Sequence, residues 1–307
     1  MTLKAFLFIV SSALFHVLWN SFLKTCKDKP IAIFLMTIIT VICFAAATLF
    51  LYPLKLLFVP SAIFTAVIAG FFFFLYQYFV ALAYEKGDLT VVYPLTATAP
   101  IYIVIWSYLL IGEQITLTGA SGIILMIYGV VTIQTGSFIN FPEMQTIFEN
   151  RRLNLRTSMR LLTDSKKFQQ GVLFALAASF FYSFGAVADK MGVMTGSVTI
   201  YTFHLSLYMM IFHLIRIVGQ HQTSRISNEM RSSPLAIILG GVVMMLSLIT
   251  FRIGLEEAFA SYASALRQVS TLFGILIGFF IFKEQITLKR VISSIIIVAG
   301  AVLIKLG

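Results

Sequence analysis

Charge is scarce in this 307-residue sequence: Asp, Glu, Lys and Arg together make up 11% of it, where a soluble domain carries roughly a quarter. Apolar residues make up 59%, Phe alone contributes 30, and the mean hydropathy is +0.96. A soluble fold of this length cannot hide so much apolar surface, so lipid is the solvent implied. Cysteine is nearly absent. Cys26 and Cys43 are the only two, both in or beside apolar runs, which argues against a disulfide framework or a Cys-based metal site. Acidic residues number 12 against 22 Lys and Arg, a net charge of +10. With no soluble basic face, that excess reads as loop placement around a membrane and not as nucleic-acid binding. HExxH, GxSxG and clustered Asp pairs are all missing, so neither an enzyme nor a cofactor is expected. The N-terminal apolar run lacks a small-residue cleavage site and reads as a retained helix.

About 20 residues of helix cross a membrane core, and ten runs meet that length. They cover 3–24, 30–52, Pro60 to the Glu85-Lys86-Gly87-Asp88 turn, 89–111, 116–134, 169–190, 198–218, 234–256, 260–282 and 287–306. One long polar stretch, 135–168, holds six basic residues between Arg151 and Lys167.

Self-comparison divides the runs. Glu113-Gln114-Ile115-Thr116-Leu117 recurs 171 residues later as Glu284-Gln285-Ile286-Thr287-Leu288, each time between two apolar runs. The same offset pairs Glu85 with Glu256 and Gly129 with Gly300, and a shift of five residues pairs Lys24 with Lys190. Five spans per half is an odd number, so the second half enters from the opposite side, the inverted-repeat design of alternating-access transporters. The predicted architecture is an all-α membrane protein: ten transmembrane helices as two inverted five-helix repeats, 1–134 and 169–307, joined by a basic loop at 135–168. Alternatives from other classes are an intramembrane enzyme or an assembly protein acting on lipid head groups, the latter using the basic loop.

Trp19 and Lys24, Tyr93-Pro94-Leu95 through Pro100, and Gly112-Glu113 followed by Gly119, Gly122 and Gly129 resemble the EamA family of the drug/metabolite transporter superfamily. The resemblance covers all but the 135–168 loop. The second copy is degenerate, with Ala265, Thr271, Lys283 and Ser293 in place of the matched Pro, Pro, Gly and Gly. It implies an exporter or exchanger of amino acids, drugs or other metabolites, in a bacterial inner membrane. The His16-Val17-Leu18-Trp19-Asn20 segment is similar to one in members associated with phosphonate use.

Ionisable groups inside hydrocarbon are site candidates by default. Ser12, His16, Asn20 and Lys24 fall at steps of four on one helix face, beside Trp19. Site lining and interhelical hydrogen bonding both stay open for His16 and Asn20; Lys24 is expected to snorkel. The fourth run carries Tyr93, Thr96 and Pro100 on one face, and the offset places Ser264, Arg267 and Thr271 opposite, with Gln268 adjacent. Pro94 and Pro100 are expected to kink that run. Arg267 must face a carboxylate, a hydrated cavity or an anionic substrate; Glu256 or Glu257 could pair with it. These ten residues, His16, Trp19, Asn20, Tyr93, Thr96, Pro100, Ser264, Arg267, Gln268 and Thr271, are the candidate substrate-binding set, for a small anionic or zwitterionic metabolite (amino-acid-like, phosphorylated or phosphonate). Arg252 and Glu256 are expected to pair at i, i+4, and Glu85, Glu113 and Glu284 to be solvated at span ends. His204 and His213 read as packed or lumen-facing, and Gly192/Gly196 and Gly274/Gly278 as close helix contacts.

The expected partners are a small-molecule substrate and the bilayer, with the chain a monomer or homodimer. Two orientation signals oppose each other. Placing the loop after run one and every second loop thereafter in the cytoplasm puts 16 of the 22 Lys and Arg inside and both termini outside. The resemblance implies cytoplasmic termini.

Overall fold

A computed structural model describes residues 1–86, 95, 98–135, 166–280 and 287–307. Among them every regular element is helical: α1 (Leu3–Thr25), α2 (Lys29–Leu51), α3 (Pro60–Lys86), α4 (Ala99–Ile111), α5 (Leu117–Thr135), α6 (Lys166–Val193), α7 (Val198–Gly219), α8 (Ser224–Ser232), α9 (Pro234–Glu257), α10 (Ala260–Leu266), α11 (Ser270–Phe280) and α12 (Leu288–Leu306), with 3₁₀ turns at Leu54–Leu57 and Arg267–Val269. Seven are long and apolar enough to cross a membrane, counting Ala260–Phe280 as one, and α4 and α5 are shorter apolar helices. The connecting stretch 136–165 and the second EQITL copy up to Ile286, with Glu284, lie outside the described residues.

Local chemistry sets the helix ends. The side chains of Thr2, Asp28, Ser197 and Thr287 each accept a first-turn N–H, opening α1, α2, α7 and α12, and so satisfy one of the donors every helix start leaves bare. Gly112, at φ +69°, closes α4 in the left-handed region, where a side chain would be strained. Large apolar side chains such as Phe50, Leu117, Ile215 and Ile295 point outward, the arrangement of a protein whose surface meets lipid.

Helix neighbours repeat between the halves. α3 lies along α6 as α1 lies along α9; α7 lies along α3 as α2 lies along α9; α4 contacts α6 as α11 contacts α1. The pairs α5–α12 and α2–α7 map onto themselves. Glycine contacts carry the same symmetry to single residues. A Cβ on Gly241 would lie 2.8 Å from the Met36 carbonyl oxygen and 2.6 Å from the Ile39 Cβ; Gly70, 171 residues earlier, faces the Leu205 carbonyl at 3.6 Å and the Tyr208 Cβ at 3.3 Å. Between α5 and α12, the Cβ position of Gly122 lies 2.8 Å from the Gly300 carbonyl, and that of Gly129 lies 3.0 Å from the Ser293 carbonyl. Backbones approach this closely only where the side chain is a hydrogen atom.

Two expected glycine pairs do something else. Gly192 accommodates the ring of Tyr201, and Gly196 sits at φ +148° in the α6–α7 turn. Gly274 has none of the described residues within 4 Å of its Cβ position and borders a cavity with Gly278.

Termini and turns sort to two faces. Thr2 and Lys4 reach Glu257 (2.6 Å each), and Gly307 reaches Gly119, gathering both termini with the α4–α5 and α9–α10 turns on one face, the terminal face. On the opposite, basic face, the Glu229 carboxylate accepts the N–H groups of Lys27 (3.1 Å) and Asp28 (2.9 Å), and Arg225 pairs with Asp28 at 2.5 Å, fastening α8 to the α1–α2 turn.

Gly122→Leu should destabilise the protein by about 1–3 kcal/mol through overpacking against Gly300, read as a lower melting temperature in detergent. Gly219→Ala, with nothing within 4 Å, should leave it unchanged.

Candidate functional site

The helix formed by the ninth run breaks where its arginine sits. α10 ends at Leu266, Arg267–Val269 form a 3₁₀ turn, and α11 starts at Ser270. The matching position of the first half, 171 residues earlier, is Ala99, where α4 starts after a turn at Thr98. Pro100 stands in the first turn of α4, where its missing N–H is harmless. The second half keeps its break without proline, since Ala265 and Thr271 occupy the equivalent places.

A cavity of about 270 Å³ lies against the break, walled by α1, α2, α3, α6, α7, α9, α10 and α11, with Ala99 from α4. His16, Trp19, Ser264, Arg267, Gln268 and Thr271 from the expected set all line it. Asn20 does not; it donates to the His16 carbonyl (2.7 Å) and lines an adjoining, more open cavity of about 540 Å³. The two cavities share His16, Ser270 and Thr271, and the outer one is bordered by Lys24 and Arg290 near the basic face. Pro100 is buried and lines neither cavity, because its place in the α4 start turns it into the packing while Ala99 faces inward. Tyr93, Pro94 and Thr96 lie outside the described residues.

The Arg267 guanidinium donates to Nδ1 of His16 at 3.2 Å and stacks 4.5 Å from the centroid of Phe251. As an acceptor, that Nδ1 carries no proton, so the neutral tautomer has it on Nε2. Trp19 meets His16 edge to face at 5.4 Å. Arginine has five N–H donors, and among the described residues no carboxylate lies within ion-pair distance of Arg267. The expected partners are elsewhere: Glu257 pairs with Lys4 at 2.6 Å, and Glu256 is exposed. Gln77 Oε1 and Ser206 Oγ, on the neighbouring helices α3 and α7, are buried with no hydrogen-bond partner among the described residues. Much of the remaining wall is aromatic or apolar, from Phe73, Tyr76, Tyr182, Met209 and Met244.

Arg252 does not pair with Glu256. Its Nε donates to Asp189 Oδ1 at 2.8 Å, with side chains only 3% and 2% exposed, and both residues line the cavity. A helix-local partner loses here because a buried guanidinium needs a buried carboxylate, and α6 supplies one. Asp189 was not in the expected set. It is an acid inside an apolar run, the signal that should have flagged it. Glu113 is not solvated either: it is 7% exposed and accepts the Ala260 N–H. Burial pushes its carboxyl above the usual carboxylate range, while the Ala260 N–H, Ser107 and Lys190 pull it back. His204 bonds the Leu57 carbonyl at 2.6 Å, and His213 packs edge-on to Phe74.

Asp189→Asn strands a buried guanidinium and should cost about 3–5 kcal/mol. Adding Arg252→Gln should recover much of that, which melting temperatures of the two single variants and the double variant would measure.

No curated protein matches the chain. Among solved structures 28 chains match. One, described simply as a crystal structure of a protein, superposes with a TM-score of 0.73 over 98% of this chain and 97% of that one, at 18% sequence identity. At that identity the likeness concerns the fold. The EamA-like transporter family matches residues 3–135 and 169–306, nearly all of the chain. A two-repeat helical fold around a central cavity agrees with that match, and the chain belongs to the EamA-like transporter family.

Proposed function

We propose that this protein is a secondary transporter, an exporter or exchanger, of a small anionic or zwitterionic metabolite, and that Arg267 holds the substrate's acidic group. One observation carries the reading: a guanidinium at a helix break faces the central cavity with most of its donors uncommitted and no carboxylate in reach among the described residues. An arginine so placed in a membrane protein stabilises an anion or a hydrated pathway. Amino-acid-like, phosphorylated and phosphonate compounds all offer that anion.

In this reading His16, braced by Trp19, sets the guanidinium's direction, Ser264, Gln268 and Thr271 complete the polar wall, and Phe251 fixes the plane in which Arg267 lies. Tyr93 and Thr96 would join from the fourth span. The opposite aromatic wall takes the apolar body of the ligand. A volume of about 270 Å³ falls below the range that suits drug-sized molecules, roughly 300–1,000 Å³, which favours a compact metabolite. The protein spans a bacterial inner membrane ten times, α12 with its flanking Lys289, Arg290 and Lys305 included. Its two halves, 1–134 and 169–307, are inverted, and the site alternates between faces. The exchange symmetry of the helix contacts supports that arrangement.

A ligand screen by thermal shift in detergent should find anionic or zwitterionic metabolites that raise the melting temperature, by about 2.7 kcal/mol of stabilisation at a hundredfold excess over Kd. In liposomes the same compounds should move, and Arg267→Ala should abolish both shift and flux while leaving expression and melting of the ligand-free protein intact. Normal flux in Arg267→Ala would overturn the site assignment.

A further inference from the structure

The two ends of the central cavity differ. Toward the basic face it continues into the outer cavity. Toward the terminal face its floor is the α9–α10 connection: Leu255 and Ala260 line the cavity, and Glu256 to Phe259 lie between them. Three parts of the molecule tie this turn down. The Glu113 carboxylate, 7% exposed, takes the Ala260 N–H on both oxygens, at 2.8 and 3.0 Å. The Lys190 ammonium, also 7% exposed, donates to the carbonyls of Leu255 (2.9 Å) and Glu256 (3.0 Å). Tyr262 Oη accepts the Thr116 N–H at 3.1 Å, its ring lying over Gly119. The fourth tie, Lys4 to Glu257, is solvent-exposed and contributes little.

A helix end leaves carbonyls bare and a helix start leaves N–H groups bare. Where the α9–α10 junction is buried, at Leu255, Ala258 and Ala260, both kinds need partners, and charged side chains supply them at Leu255 and Ala260. Glu113 and Thr116 both belong to the EQITL segment of the first half, while the turn they hold belongs to the second. The contact therefore crosses between the two repeats, where relative motion of the halves would break it. Charged hydrogen bonds suit this use. They are strong while dry, and water replaces them readily once the end opens.

We propose that the Glu256–Ala260 turn is the gate on the terminal face and that Glu113, aided by Lys190, is the latch that holds it shut. The inference rests on the transport reading, since a gate has meaning only for a site reached from both sides. Glu113 acts here as a positioning residue and does not touch the solute.

The test needs no solute. In sealed vesicles of the full chain carrying Cys26→Ser and Cys43→Ser, Ala186→Cys places one thiol on the cavity wall. A membrane-impermeant thiol reagent is then applied to each face in turn. Labelling from the terminal face should be slow in this background and at least about tenfold faster with Glu113→Gln, corresponding to about 1.4 kcal/mol of lost closure. It should be faster with Lys190→Gln, and partly slowed again by Glu113→Asp. Labelling from the basic face should not speed up. Unchanged terminal-face labelling in a folded Glu113→Gln protein overturns the latch. Failure of both Glu113→Gln and Lys190→Gln to fold also overturns it, by assigning the pair to folding. Faster labelling without any solute flux would leave the latch standing while sinking the transport reading.

Discussion

Lipid offers no hydrogen bonds, and the organisation of this protein follows from where its backbone stops being helical. Inside a bilayer an interrupted helix is tolerated only against protein or a polar cavity. The chain breaks at Arg267–Val269, against the central cavity, and again at the α9–α10 turn, where Glu113 and Lys190 supply the missing partners. The first interruption puts an arginine at the site. The second closes one end of it. Neither could move far along the chain without leaving bare backbone groups in hydrocarbon, so the position of the site and its closure are set by one constraint.

Much of this is visible in the sequence, and the limits have physical causes. Composition and run length reveal a membrane protein, and the EQITL pair reveals the duplication. Yet the offset between halves is 171 at Gly70 and Gly241 but 169 at Met36 and Leu205, because connecting segments differ in length. A single offset therefore misses residues that the fold brings into equivalent contacts. Glu113 reads as solvated because it follows a glycine turn; it is buried because the other half folds over it. Arg252 has a plausible partner four residues on, but its partner in space is 63 residues earlier, at Asp189. Asp189 lies inside the 169–190 run but next to its end, whereas α6 continues to Val193. Each of these depends on which helices are neighbours, and periodicity within one helix does not contain that information.

The backbone contacts obey the exchange of halves more closely than the side chains do. Glycine seams between α5 and α12 and between α3 and α7 have counterparts across the repeat. The charged residues of the cavity wall do not: Asp189, Arg252 and Arg267 all come from the second half. His16, Trp19, Tyr76 and Gln77, from the first half, supply rings and neutral polar groups. Scaffold and site thus follow different rules, one symmetric and one deliberately uneven in charge.

Joining the two halves in one chain has an electrostatic consequence. At the first-half position equivalent to Arg267 stands Thr96. Were the bundle assembled from two identical copies of the second half, every arginine beside the cavity would arrive with a twin on the other side of the symmetry axis. Two guanidinium groups sharing a space of about 270 Å³ would repel by on the order of 2 kcal/mol even at an effective dielectric of about 20, and they would favour a divalent guest over a monovalent one. Covalent fusion lets one copy carry the charge alone, so an internally duplicated fold can present a cavity with a head and a tail.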